Sequence, residues 1–195
     1  MKPSARKKRA PRARANSRRS PAALQKKVLP EYFSEISSRP THLDDKGRLR
    51  MVNVSAKPVT LRRAVAEARV RMSSRALQAI RKGNLPKGDI GAAVRIAAIH
   101  AAKKTSDFIP LCHPLSLDHV EVRTRTTKTE MIIETEAVTT ARTGVEMEAM
   151  TAAAVGALVV YDMVKSMERG VTIGPVRLLE KEGGRSGRWT RLRTS

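Results

Sequence analysis

The sequence predicts an α+β domain, an antiparallel sheet with helices packed on one face, and three observations carry that expectation. Residues 64–72 alternate at strand period, Ala64, Ala66, Ala68, Val70 and Met72 against Val65, Glu67, Arg69 and Arg71. A run after Asp89 repeats apolar residues at helical spacing, and residues 149–160 are almost wholly apolar or small. Strands and helices come in blocks, about four strands and three helices, which favours a mixed antiparallel layer over a wound parallel one.

In chain order, Thr41-His42-Leu43-Asp44-Asp45-Lys46-Gly47 reads as a polar turn, and residues 51–54 as a short strand. After the alternating strand, Ser73 and Ser74 are suited to cap a short helix that carries Leu77 and Ile80 and closes at Gly83. Lys87-Gly88-Asp89 opens a longer helix with Asp89 as its N-cap; Ile90, Ala93, Val94, Ala97 and Ala98 form its apolar side, Arg95 and Lys103 are its cations, and Pro110 ends it. Residues 117–138 read as a strand pair turning at residues 126–130. The last strand spans residues 171–179, where Gly174-Pro175 calls for a sheet edge or a bulge.

The central element follows Gly144. Glu146 and Glu148 fall in a first helical turn, where carboxylates oppose the positive end of the helix dipole. The apolar run of about twelve residues behind them is short for a bilayer crossing. Asp162 and Lys165 close the rod on one shared face. Buried charges persist only when paired or used. Glu148 and Asp162 are fourteen residues apart, about 21 Å along a helix, too far for both to touch the reacting end of one small molecule. With Ala153, Gly156 and Ala157 permitting close helix approach, the expectation is an oligomer whose sites lie between subunits. An ordinary core helix with solvated ends is the simpler alternative.

Aromatic residues make up only 3% of the chain, so Ala, Val, Ile, Leu and Met must build the core. One cysteine excludes an intrachain disulfide and fits a reducing compartment. The net charge of +21 suggests nucleic-acid contact, but eleven Lys and Arg lie in residues 1–29, which hold no acid. Residues 1–40 therefore read as a disordered basic extension, a nonspecific polyanion contact or an organelle transit segment. The folded part is assigned to residues 41–187 and a flexible tail to 188–195. The expected location is the cytoplasm, or an organelle matrix if the extension is a transit segment. No membrane partner is expected.

Pro110-Leu111-Cys112-His113-Pro114 fixes a Cys and a His between prolines. Neighbouring side chains often diverge, and no orienting third group is evident, so nucleophilic catalysis is weaker than anion binding or proton transfer by His113. Cys112, His113 and His119 lack the paired spacing of a zinc site, and no metal site is expected. Lys87, Lys103, Lys165 and Lys181 are further cations, and Lys181-Glu182-Gly183-Gly184-Arg185-Ser186-Gly187 could lay backbone N–H groups against phosphate without being a P-loop. Two acids, an Asp/Lys pair, a fixed His and several cations are what acid–base chemistry on a phosphorylated substrate needs.

Five motifs in order, Lys87-Gly88-Asp89, Ile109-Pro110-Leu111-Cys112-His113-Pro114-Leu115, Thr143-Gly144-Val145-Glu146-Met147-Glu148-Ala149, Tyr161-Asp162-Met163-Val164-Lys165 and Gly174-Pro175-Val176-Arg177-Leu178-Leu179, resemble the cyclic pyranopterin monophosphate synthase family of molybdenum cofactor (molybdopterin) biosynthesis. The resemblance implies a ferredoxin-like subunit in a homohexamer, a trimer of dimers. It implies a lyase that converts (8S)-3′,8-cyclo-7,8-dihydroguanosine 5′-triphosphate, derived from GTP, to the cyclic pterin monophosphate and diphosphate. No redox cofactor is implied, and whether Mg2+ accompanies the triphosphate stays open. Carried onto this chain, Asp162 is the catalytic acid/base and Lys165 its tuning or proton-sharing partner. Leu111, Cys112, His113, Met147 and Glu148 line the pocket; Lys87, Lys103 and Lys181 meet phosphates or polar pterin groups, and Glu146 supports the purine-derived end. Asn53 departs from an Asp common in the family, and Arg142 from a Lys. The competing function is a small basic nucleic-acid-binding protein, disfavoured by the scarcity of aromatics for base stacking.

Overall fold

The computed structural model describes residues 42–185 and 187–192; the extension of residues 1–40 lies outside them. The strands are β1 (Thr60–Arg71), β2 (His119–Thr126), β3 (Glu130–Ala141), β4 (Thr172–Glu182) and β5 (Trp189–Thr190), and the helices are α1 (Ser74–Arg81), α2 (Ile90–Lys103), α3 (Thr105–Phe108) and α4 (Glu146–Val164). They form one antiparallel sheet in the order β2-β3-β1-β4-β5. β1 lies between β3 and β4, and β3 between β1 and β2, so the helical crossovers β1 to β2 and β3 to β4 each skip a strand. Two split β-α-β units interlock in this way.

The alternation in β1 divides the sheet into two faces. Ala64, Ala66, Ala68 and Val70 are fully buried beneath α4, and the register puts Ala137, Thr135, Ile133 and Met131 of β3 beside them. Alanines on both layers let the backbones close up. Ala149, Ala152, Ala153 and Ala157 of α4 are fully buried, and a Cβ on Gly156 would sit 3.2 Å from Ile133 and 3.3 Å from Val94. The small residues of α4 thus serve contact with α2 and β3 of the same chain, not the inter-subunit contact expected of them. A Cβ at position 156 would push apart helix and sheet, which pack too tightly to absorb it.

Among the described residues the opposite face carries no helix. Arg63 holds Glu136 through two 2.9 Å bonds and Glu180 at 3.0 Å, while Arg177 and Arg69 clamp Glu67. Burial pushes the Glu67 carboxyl up, but the two guanidinium groups outweigh it and hold the carboxyl below its ordinary value. The arginines of this face are thereby largely committed to carboxylates.

Several boundaries depart from expectation. Residues 51–54 form no strand: Asn53 accepts Ser55 N–H and Oγ–H, and Lys57 N–H bonds Val54 O, so the segment folds into its own turn. An Asp could accept the same bonds, which explains how Asn is tolerated there. The second helix stops at Lys103 because Thr105 turns its hydroxyl back onto the carbonyls of Ala101 and Ala102, and α3 restarts as a single turn. Pro175 sits in β4, next to a register shift against β1 and beyond the reach of β5, which pairs only Glu180 and Lys181. α4 is 19 residues, long and apolar enough by length and composition to cross a membrane, where about twelve apolar residues were counted. Half of it is buried against α2 and the sheet, the position of a core helix.

Part of the expected flexible tail, residues 188–195, is ordered on the sheet. Trp189 and Thr190 pair with Lys181 and Glu180, and Arg191 N–H donates to Leu179 O at 2.8 Å. The turn feeding β5 needs glycine: Gly183 has φ +100°, and an added Cβ would collide with Leu61 O. Gly183→Ala is expected to lower stability by about 1–3 kcal/mol and to release β5. The emission of Trp189, the single tryptophan, reports that release in a thermal melt. An unshifted melting temperature contradicts the tight approach.

Candidate active site

The residues singled out from the sequence fall into two clusters, one at each end of α4. At its C-terminal end, Asp162 is clasped between two lysines: Lys165 Nζ lies 2.7 Å from Oδ1, and Lys87 Nζ 2.6 Å from Oδ2 and 3.0 Å from the Asp162 carbonyl. Each residue of Lys87-Gly88-Asp89 has a separate part in this. Gly88 takes φ +89°, open to glycine, so the chain can turn; Asp89 caps α2 by accepting Ala92 N–H at 3.1 Å; the turn leaves Lys87 over the end of α4. The hydrogen bond from Lys165, and next that from Lys87, hold the carboxyl down at about 2. The same bond raises the Lys165 ammonium above its ordinary value. Lys87, Tyr161, Lys165, Ser166 and Arg169 line a cleft of about 320 Å³. Three cations lining one cleft, two of them paired with Asp162, suit an anionic ligand.

At the N-terminal end, Lys181 reaches from β4 to Glu146, 2.9 Å away. Glu148, one helical position beyond Met147, has no such partner among the described residues. It is 4% exposed, and burial, with a smaller push from the Glu146 charge, raises its carboxyl to about 7. The two acids therefore divide: Glu146 is a paired anion, Glu148 an acid that changes state near neutrality. Cys112 is close enough that the Glu148 charge adds to burial in raising its thiol, so it is no activated nucleophile. Leu111, Cys112 and His113 are half-buried in the loop after α3, tied down by Cys112 N–H to Ile109 O. Met147 is exposed.

Lys103 belongs with the N-terminal cluster by topology. Lys87 sets the start of α2 beside the last turn of α4, and α2 then packs back along α4, carrying Lys103 toward its head. His119 goes elsewhere, paired in register with Val138 on the helix-free face and 3.8 Å from Glu121. Among the described residues no group of three or more His, Cys, Asp and Glu could hold a metal ion. A larger hollow of about 480 Å³ lies on that helix-free face, floored by carboxylates already bound to arginine. The acids and lysines singled out from the sequence lie at the ends of α4 instead.

Two groups escaped the sequence reading. Arg169 of the cleft had no signal beyond its charge. Arg62 did: it lies two residues before Ala64, in phase with the buried stripe of β1, where a cation needs an explanation.

These features define an α+β protein with acid–base groups at both ends of a core helix, and its lineage is clear: the chain belongs to the MoaC family, which it matches over residues 51–184. It is 54% identical over 153 residues to the cyclic pyranopterin monophosphate synthase of Thermomicrobium roseum, covering 77% of this chain and 92% of that one. It is 53% identical over 149 residues to the protein of that name from a Roseiflexus species, covering 75% of this chain and 94% of that one.

Proposed function

We propose that this chain is a cyclic pyranopterin monophosphate synthase of molybdenum cofactor biosynthesis, converting (8S)-3′,8-cyclo-7,8-dihydroguanosine 5′-triphosphate to the cyclic pterin monophosphate and diphosphate. In a chain of this family, the observation that carries the reading is the clasp of Asp162 between Lys87 and Lys165. A carboxylate held at about 2 is a poor base at neutral pH. A substrate phosphate that draws one lysine away raises its proton affinity, so binding itself readies Asp162 to accept a proton, and Lys165 to give one. Ring opening and pterin closure need such transfers repeatedly. Closing the cyclic phosphate requires a ribose oxygen to attack the α-phosphorus as diphosphate leaves, and lysines oriented toward that leaving group stabilise its charge. Every step is proton transfer, ring chemistry or displacement at phosphorus, so no redox cofactor is invoked; Mg2+ would arrive with the triphosphate.

The finer assignments follow the same reading. Leu111, Cys112, His113, Glu146, Met147 and Glu148 form the pterin-side pocket, with Lys103 and Lys181 as its cations. The subunit is ferredoxin-like, as the βαββαβ order and strand sequence support, and assembles as a trimer of dimers. Ile96 and Leu158, 71% and 58% exposed on the helical layer, are apolar surface that such an assembly would cover. The enzyme works in the cytoplasm, or in an organelle matrix if residues 1–40 are a transit segment.

Supplied with the cyclic dihydroguanosine triphosphate, the wild-type protein is expected to release diphosphate, and Asp162→Asn to release it about 10²–10⁴ times more slowly. No release by the wild type refutes the activity. Undiminished release by the variant refutes the role of Asp162.

A further inference from the structure

Every second residue of β3 faces the helices: Met131, Ile133, Thr135, Ala137 and Thr139, each at most 2% exposed. Three of them are apolar. The other two carry hydroxyls where valine would have the same shape and no polar atom to desolvate. A buried hydroxyl is kept for the bond it makes, and each of these makes one.

Thr135 Oγ1 donates to Ala149 O at 2.7 Å, while the carbonyl of Ala66, its register neighbour, lies farther off at 3.5 Å. A helical carbonyl has a second lone pair open to such a bond. Ala149 directly follows Glu148, and Val145, at the N-cap, makes no side-chain capping bond. The first turn of α4 is thus held from the sheet beneath it. Thr139 Oγ1 donates to Ser116 O at 2.6 Å, and the adjacent Val138 O accepts Asp118 N–H at 2.9 Å. These two bonds tie down the exit of the loop that carries Cys112 and His113. The two threonines are four residues apart, about 13 Å along one strand. Across that span Glu148 and Cys112 come close enough for the charge of one to raise the thiol of the other. One strand therefore holds both the acid and the loop.

We propose that Thr135 and Thr139 are positioning residues of the N-terminal cluster: through their hydroxyls β3 fixes the head of α4, with Glu148, against the Cys112-His113 loop. Neither touches the substrate. The reading of this cluster as the pterin-side pocket, on which the inference rests, is what makes the spacing matter. Misplacing a group in such a pocket by about 1 Å costs about 100-fold in rate.

The test uses the full chain as wild type and with Val or Ser at each position, the cyclic triphosphate as substrate and N-ethylmaleimide as a probe of Cys112. Thr135→Val, which loosens Glu148, is expected to lower kcat about 10-fold with little change in KM. Thr139→Val, which loosens the loop, is expected to raise KM about 10-fold with little change in kcat. Thr135→Ser and Thr139→Ser keep the hydroxyl and recover most of each loss. A threonine that serves the core alone lowers the melting temperature and produces no such split. Labelling of Cys112, the single cysteine, reads the same positions without substrate. It is expected to run about fivefold faster in both Val variants, one freeing the loop and the other moving the Glu148 charge away. Wild-type kinetics and labelling in folded Val variants overturn the proposal. So do Ser variants as impaired as their Val counterparts, since packing then matters and the hydroxyl does not. Should valine prevent folding, alanine, which removes the hydroxyl without adding bulk, is compared with serine on the same criteria. A wild type that does not turn over, but whose Cys112 labelling responds to both substitutions, leaves the positioning standing and removes the proposed reaction. Normal turnover, with kinetics and labelling indifferent to both, does the reverse.

Discussion

Glu148→Gln is expected to stabilise the folded protein by about 3 kcal/mol at pH 8 and by almost nothing at pH 4. The carboxyl is 4% exposed at the head of an apolar helix, and Lys181 at that end of the helix is paired with Glu146. Burial therefore raises it from 4.5 to about 7 in the folded chain. Between those values the folded state keeps a proton that the unfolded state has lost. Since stability changes with pH in proportion to protons bound unfolded minus folded, it falls as pH rises from about 4.5 to about 7, then levels off. Gln is neutral throughout and escapes that fall. Urea denaturation at fixed protein concentration across this range measures it. Parallel curves for the two proteins would mean that a cation reaches Glu148 in the assembled protein. The same substitution should lower kcat/KM about 100-fold, because an acid that titrates near neutrality is kept for use despite its cost to the fold.

The elements that could be read from sequence are those with two distinct environments. β1 was legible because one side faces alanines of α4 and the other faces water and charge, so its residues alternate. α4 was legible because few polar residues interrupt it, and its charged ends stood out against that background. Where the deciding interaction is a single side chain, the pattern gave no warning. Thr105 ends α2 by bonding back to Ala101 and Ala102, which no periodicity encodes. Residues 51–54 have strand composition but no strand to pair with, because Asn53 turns the chain first. β5 is two residues long, and its pairing depends on glycines whose contacts are remote in sequence.

The site divides along the same line. The three-residue step from Asp162 to Lys165 is local, and helix geometry alone puts them together. Lys87 reaches the same carboxylate across 75 residues, a meeting only the packing of α2 on α4 provides. That Glu146 would be paired and Glu148 left bare depended on where β4 delivers Lys181. Arg62 lies in phase with a buried stripe and was passed over in the sequence, and its unpaired Nε is a property of the folded corner.

Mixing two crippled proteins should restore activity that neither has. Asp162→Asn removes the acid at one end of α4, and Glu148→Gln alters the other end, each expected to leave about one per cent of wild-type turnover or less. The two positions are about 21 Å apart on one rigid helix, so no rearrangement within a subunit brings both to one substrate. If a pocket joins the head of one copy's α4 to the tail of its neighbour's, random one-to-one co-assembly gives about one quarter of the pockets two intact halves. Co-expressed variants should then release diphosphate at about a quarter of the wild-type rate per site. If instead each pocket draws on one copy alone, every pocket in the mixture carries one lesion or the other, and activity stays at the average of the parents. The two outcomes differ by more than an order of magnitude, so a single assay of the co-purified mixture decides whether the two ends of α4 work on different molecules.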